Sequence, residues 1–372
     1  MSHRVNSIFR RTAILLLLAA LSCGKEEAGL SGGGRDAVGF SAGTSGTRAI
    51  GEINDIAVDG FSFGVFSYNT GHYRYADNSV NPNFMYNQQV TYSGDKWEYT
   101  PVKYWPNGEG EVAPDAITGD RPDYLSFFAY APYVDGTGDT PADFCLASMS
   151  TQPEQGNPWI VYRIHTDVAQ QVDLLCARPV LDATKPDVGA RVHFEFRHAL
   201  ACVGERVLGD CSYDMKSSLY AEARETGQRL QVVLQDVDIV YHLTERAKLS
   251  LWSSDGEVRW SPILNGEITT DRTVTYGSSL DYILYSTSAQ DHALPWSSGN
   301  DQGVFYIPLD VAGDYQTATL NVRFTIRRYT DEENYVDTPY ERQTILRLSD
   351  YPQTFAPGKC LSTISFTINA DG

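Results

Sequence analysis

The chain has 372 residues, 42% of them hydrophobic and 12% aromatic, with 47 acidic against 29 basic side chains and a formal charge of −18. That length and apolar content support more folded mass than one core usually organises. An acidic chain with no basic run repels phosphate backbones and anionic headgroups, so nucleic acid is not expected as a partner.

At the start, Arg4, Arg10 and Arg11 precede an apolar run from Ala13 to Leu21, and no acidic residue comes before Glu26. The run is shorter than the ~20 residues a membrane-spanning helix needs, so residues 1–22 read as a secretory signal peptide. Removing its three arginines takes the formal charge from −18 to −21. The step Ala20-Leu21-Ser22-Cys23 resembles a bacterial lipobox, which makes Cys23 the expected site of a lipid that holds the mature chain to a membrane. The alternative is a soluble secreted protein in which Cys23 is incidental. The small, polar stretch from Gly24 to Gly34 suits a flexible tether. Within it, Lys25-Glu26-Glu27 resembles the charged export signal of Bacteroidetes surface lipoproteins.

From Ile50 onward, short runs rich in aromatic and β-branched residues alternate with Gly, Pro, Asn and Asp clusters, which predicts an all-β chain. The predicted strands are Phe61 to Tyr68, Asp123 to Tyr130, Trp159 to Ile164, Val192 to Cys202, Leu230 to Tyr241, Asp281 to Tyr285, Val304 to Leu309, Ala318 to Tyr329, Gln343 to Leu348 and Leu361 to Ile368. In the fourth, Val192, Phe194, Phe196, His198, Leu200 and Cys202 share one face while His193, Glu195 and Arg197 share the other, as a half-buried strand requires. Helical spacing is nearly absent. A polar seam at Thr184-Lys185-Pro186-Asp187 divides the chain into residues 49–187 and 188–372, after a tether and N-terminal strand at 23–48.

Five cysteines follow Cys23: Cys145, Cys176, Cys202, Cys211 and Cys360. Their odd number and lack of CxxC spacing point to buried free thiols rather than a disulfide framework, although Cys202 with Cys211 is a conceivable pair. No nucleophile elbow, phosphate-cradling loop or HExxH motif occurs, so no enzyme, cofactor or metal is expected. His193 with Glu195 falls short of a coordination shell, and Asp135, Asp139 and Asp143 lack calcium-loop spacing. Trp97, Trp105, Trp159, Trp252, Trp260 and Trp296 are scattered, which suits core packing better than a glycan-stacking platform.

Several segments, in order, resemble the fimbrillins of Bacteroidales type V pili. They are Phe63-Gly64-Val65-Phe66, Trp97-Glu98-Tyr99-Thr100-Pro101-Val102-Lys103-Tyr104-Trp105-Pro106, Leu125-Ser126-Phe127-Phe128-Ala129-Tyr130-Ala131-Pro132, Val192 to Leu200, and Phe355-Ala356-Pro357-Gly358-Lys359 before the last strand. The stretch Ser212 to Thr226 matches nothing in that pattern. The resemblance implies two tandem transthyretin-like Greek-key β-sandwich domains, export as an outer-membrane lipoprotein, and maturation at the cell surface by a trypsin-like protease cutting after an Arg. In this chain that Arg would be Arg48, with Ala49 as the new N-terminus. Its Gly-, Ser- and Thr-rich surroundings suit cleavage and equally suit an ordinary linker.

The consequence of such a cut follows from strand chemistry. If Val38, Phe40 and Ala42 fill a groove in the first sandwich, losing them exposes apolar pockets and a bare strand edge that demands a partner. The C-terminal run has matching alternation, with Ile364, Phe366 and Ile368 on one face and Ser365 and Thr367 on the other. Burying three such side chains offers about 5–9 kcal/mol before ordering costs. The expected partners are then other copies of this chain and related subunits, joined head to tail. The same alternation also suits the last strand of the second sandwich. The competing reading of the whole chain is an anchored adhesin that binds carbohydrate without polymerising.

Overall fold

The computed structural model describes residues 36–44, 55–76, 80–106, 123–185, 189–263, 269–277, 282–288, 296–299, 305–308, 317–347, 350 and 356–370. In chain order the first half contains β1 (Phe40–Thr44), β2 (Ser62–Gly71), β3 (Met85–Ser93), β4 (Lys96–Glu98), β5 (Tyr124–Ala131), a one-turn α1 (Pro141–Cys145), β6 (Leu146–Met149), β7 (Trp159–Arg163), β8 (Leu175–Ala177), β9 (Val180–Ala183) and β10 (Val192–His198).

Eight of these strands form one sheet in the order β1-β10-β8-β5-β2-β3-β4, with β9 also on β5. Its central strands are buried on both faces, which is why β2 and β5 read as nearly continuous apolar runs. On one face Phe63 and Val65 meet Phe127, Ala129, Phe194 and Phe196; on the other, Phe66, Tyr68, Phe128 and Tyr130 join a core that runs on into the second half. The sheet curls until its two ends meet. Val38 N donates to Lys103 O at 2.9 Å and Trp105 N to Asp36 O at 2.9 Å, so the chain entering β1 zips onto the chain leaving β4.

The second half contains β11 (Ala201–Cys211), α2 (Tyr213–Thr226), β12 (Leu230–Thr244), β13 (Arg246–Ser250), β14 (Arg259–Pro262), β15 (Thr269–Gly277), β16 (Tyr282–Ser286), β17 (Trp296–Gly299), β18 (Phe305–Ile307), β19 (Thr317–Tyr329), β20 (Tyr335–Arg347) and β21 (Cys360–Ile368). They build the sheet β17-β11-β18 with β21 on β11, and the sheet β15-β12-β19-β20 with β16 on β12. A further sheet, β14-β13-β7-β6, joins strands of both halves. The all-β sandwich character read from the sequence is what the chain adopts.

Two local expectations are corrected. The predicted strand Val192 to Cys202 is two strands that belong to different sheets: β10 pairs with β1 and β8, and β11 with β17, β18 and β21. The break falls at Ala199-Leu200, both buried, where Ala199 N donates to Leu174 O and Ala199 O accepts from Trp260 Nε1 at 2.8 Å. Once its backbone groups are satisfied by loops and a tryptophan, the chain can leave one sheet for the next. The strand expected to open the second half is therefore part of the first sheet.

The second correction is α2, a four-turn helix in a chain whose pattern predicts nearly none. Ser212 Oγ accepts from Met215 N at 3.1 Å as its N-cap, and Gly227, at φ +73°, closes it in the left-handed conformation that glycine adopts without a Cβ penalty. Met215 and Leu219, one turn apart, bury the inner face with Ala223 behind them.

Candidate functional site

The site residues expected from the sequence within the described part of the chain lie on its two terminal strands, β1 and β21. β1 lies parallel to β10 in the register Phe40↔Val192 through Thr44↔Phe196. Val38 and Phe40 are each 1% exposed, and Ala42 is half-buried against the same core. The Phe40 ring stacks on Phe194 with centroids 5.7 Å apart and meets Tyr99, Phe127 and Phe63 edge-on at 5.3, 6.0 and 6.3 Å. The Tyr99 hydroxyl donates to Val38 O at 2.8 Å. Burial of Val38 and Phe40 stabilises the strand by about 1.5–3 kcal/mol each. Beside the entering chain lies a cavity of about 600 Å³ lined by Val38, Gly39, Gln88, Trp97, Tyr99 and Val102.

β21 mirrors this arrangement at the other end of the chain. It lies parallel to β11, in the register Cys202↔Cys360 through Cys211↔Ile368 with one irregularity after Val203. Leu361, Ile364 and Ile368 are buried, Phe366 is half-buried, and Ser365 and Thr367 are exposed. The Phe366 ring sits 6.1 Å from Trp296. Hydrogen bonds close both ends: Gly358 N to Leu200 O at 2.8 Å, Cys202 N to Lys359 O at 3.0 Å, and Ser212 N to Ile368 O at 2.8 Å. In this conformation the C-terminal run is an internal strand of its own chain.

The expectation of free thiols fails for two of the five described cysteines. Cys202 and Cys360, 158 residues apart, form a disulfide with Cα atoms 4.4 Å apart. Sequence spacing had no access to this pair, because only the parallel register sets the two residues opposite each other. Cys145, Cys176 and Cys211 are free and buried. Burial pushes all three thiols up, Cys211 to about 12 with help from Asp210, so they behave as small apolar groups.

The remaining candidates have structural partners. His193 Nδ1 lies 3.0 Å from Ser41 Oγ on β1, and Glu195 pairs with Arg178 at 3.6 Å. Asp135 accepts from Thr137 N, and Asp143 accepts from Gly136 N and the Thr140 hydroxyl, so this acidic loop is spent on its own turns. Trp105, Trp260 and Trp296 are buried, Trp97 packs on Phe63 and Tyr92, and Trp159 lies under Lys248. Cys23, Arg48 and Ala49 lie outside the described residues.

No protein-family model matches the sequence. Over 144 residues, 37% of this chain and 34% of the relative, it is 30% identical to the fimbrium subunit Fim1C of Phocaeicola vulgatus. The match thus spans about a third of that curated relative's length. A crystal structure of a fimbrial protein from Bacteroides vulgatus superimposes with a TM-score of 0.56 at 18% identity, covering 90% of this chain and 96% of that one. A cell adhesion protein structure from Bacteroides uniformis follows at a TM-score of 0.41 and 12% identity, covering 91% and 94%. Along about 90% of its length this chain shares the fold of the Bacteroides vulgatus fimbrial protein, and along 37% of it the sequence is similar to Fim1C.

Proposed function

We propose that this chain is a structural subunit of a surface fimbrium, joined to a neighbouring subunit by strand exchange at the groove that β1 fills. The observation that carries the reading is the placement of β1. Its Phe40 is the centre of an aromatic cluster, and in sequence the strand is followed by the Gly-, Ser- and Thr-containing segment that ends at Arg48. Cleavage after Arg48 leaves β1 bound by a short ladder and two or three apolar side chains, a plug that a longer strand can replace. In the same reading the mature chain is carried to the outer membrane by a lipid on Cys23, and the cut at Arg48 severs it from that anchor. An incoming strand with apolar residues at alternate positions would enter beside β10, filling the places of Val38, Phe40 and Ala42. β21, with Ile364, Phe366 and Ile368, has that alternation.

The test is brief trypsin treatment of residues 24–372 expressed without lipid, followed by N-terminal sequencing and native sizing. The reading requires a dominant new start at Ala49 and loss of the β1-containing peptide that ends at Arg48 when a synthetic strand of residues 360–370 is added. Cutting at many sites, or a cut chain that neither releases its peptide nor binds the synthetic strand, would overturn it.

A further inference from the structure

We propose that the Cys202–Cys360 disulfide is a latch: while it is closed the C-terminal strand stays on β11, and the subunit accepts a neighbour's strand without donating its own. The proposal rests on the strand-exchange reading above and adds to it a direction and a condition.

The two terminal strands are alike in geometry and unlike in attachment. Each is added in parallel, β1 to β10 and β21 to β11, and β10 and β11 follow one another in sequence. β1 is five residues long and precedes the candidate cut. β21 is nine residues long, and its first residue, Cys360, is bonded to Cys202 directly opposite in the register. The contacts at Leu200, Lys359 and Ile368 close its ends, and Gly209 leaves the space that the Phe366 ring occupies.

Donation of β21 is a competition between its own β11 edge and a foreign groove. Re-pairing with β11 is intramolecular in either redox state, but a covalent bond at the root of the strand pins its register and replaces a 158-residue span with a direct link, raising the effective concentration well above that of a separate subunit. Peeling from the free C-terminal end is then reversed before a neighbour can capture the strand. The partner fitting the N-terminal groove is accordingly a subunit with an unlatched C-terminal strand, and an oxidised copy of this chain is not one.

Opening the latch needs a thiol reductant. One thiolate of a dithiol attacks a sulfur of the pair, Cys360 being the less buried residue, and the Cys202 thiolate leaves. The reagent's second thiol then closes it into a cyclic disulfide. Two electrons and two protons pass to the protein, and both cysteines end as thiols.

The experiment compares trypsin-treated chain kept oxidised, the same chain treated with dithiothreitol, and a Cys360→Ser variant. Hydrogen exchange of the 361–368 amides is read in the monomer and multimers by native sizing. Reduction should speed that exchange by about tenfold or more while the rest of β11 stays protected, and ladders should form only when the bridge is open. Equal exchange in both redox states, or equal ladders, overturns the latch. Chemical reduction of the natural chain keeps the test valid should Cys360→Ser fail to fold. Binding of a 360–370 peptide to the cut, oxidised chain reports on the groove alone, so its absence sinks the strand-exchange reading and the direction drawn from it.

Discussion

Gly209 stands directly opposite Phe366 in the β11–β21 register, and a Cβ placed on it would lie 2.3 Å from the Cζ of that ring. The glycine is there because the phenylalanine lies across the backbone. A Gly209→Ala change should cost about 1–3 kcal/mol by overpacking. Combining it with Phe366→Ala should recover most of the Gly209→Ala penalty, giving a coupling that denaturant unfolding of the four chains measures. Additive losses would mean that the two residues do not share this space.

Phe40 offers a sharper separation of states. In the uncut chain Phe40→Ala should lower stability by about 3–5 kcal/mol, since its ring is surrounded by Phe63, Tyr99, Phe127 and Phe194. After cleavage at Arg48 and replacement of β1 by a synthetic strand, natural and substituted chains should melt together. Calorimetry before and after the exchange checks both halves of the statement.

Replacing Arg48 by Gln removes the only lysine or arginine between Arg35 and Arg74. Trypsin should then leave β1 attached, and native sizing should show no multimers in any redox state. Ladders from this variant would show that assembly does not depend on release of the N-terminal strand.

Alkaline pH should destabilise the fold. Cys211 ionises at about 12 in the folded protein against 9.0 ordinarily, and burial likewise raises Tyr68, Tyr130 and Tyr241 and takes Tyr276 to about 12. These groups hold their protons longer when folded, so their contribution is complete below pH 9 and is lost as pH climbs from there toward 12. Urea midpoints should hold between pH 8 and 9 and fall from there to pH 11. In the same experiments Cys145, Cys176 and Cys211 should resist iodoacetamide at pH 8 until the chain unfolds.

Much of the architecture was legible because strands announce themselves through short-range patterns. The runs around Phe66, Phe127, Tyr162 and Ile239 became strands, and the alternation of Ile364, Phe366 and Ile368 correctly separated the faces of β21. α2 has local signals of its own in Ser212, Met215, Leu219 and Gly227, but they stand alone in a chain that is otherwise almost uniformly β. Parallel pairing is different. Nothing local to Phe40 points to Val192, and nothing local to Cys202 points to Cys360.

The sequence by itself determined the all-β class and the apolar face of strands such as β10 and β21, since each depends on residues within a few positions of one another. The tertiary structure alone decided that the Val192 run divides between two sheets, that β1 plugs the groove beside β10, and that a disulfide roots β21 on β11. Those outcomes depend on contacts between residues more than 150 positions apart, whose register is set by how whole sheets pack and not by any property of the segments alone.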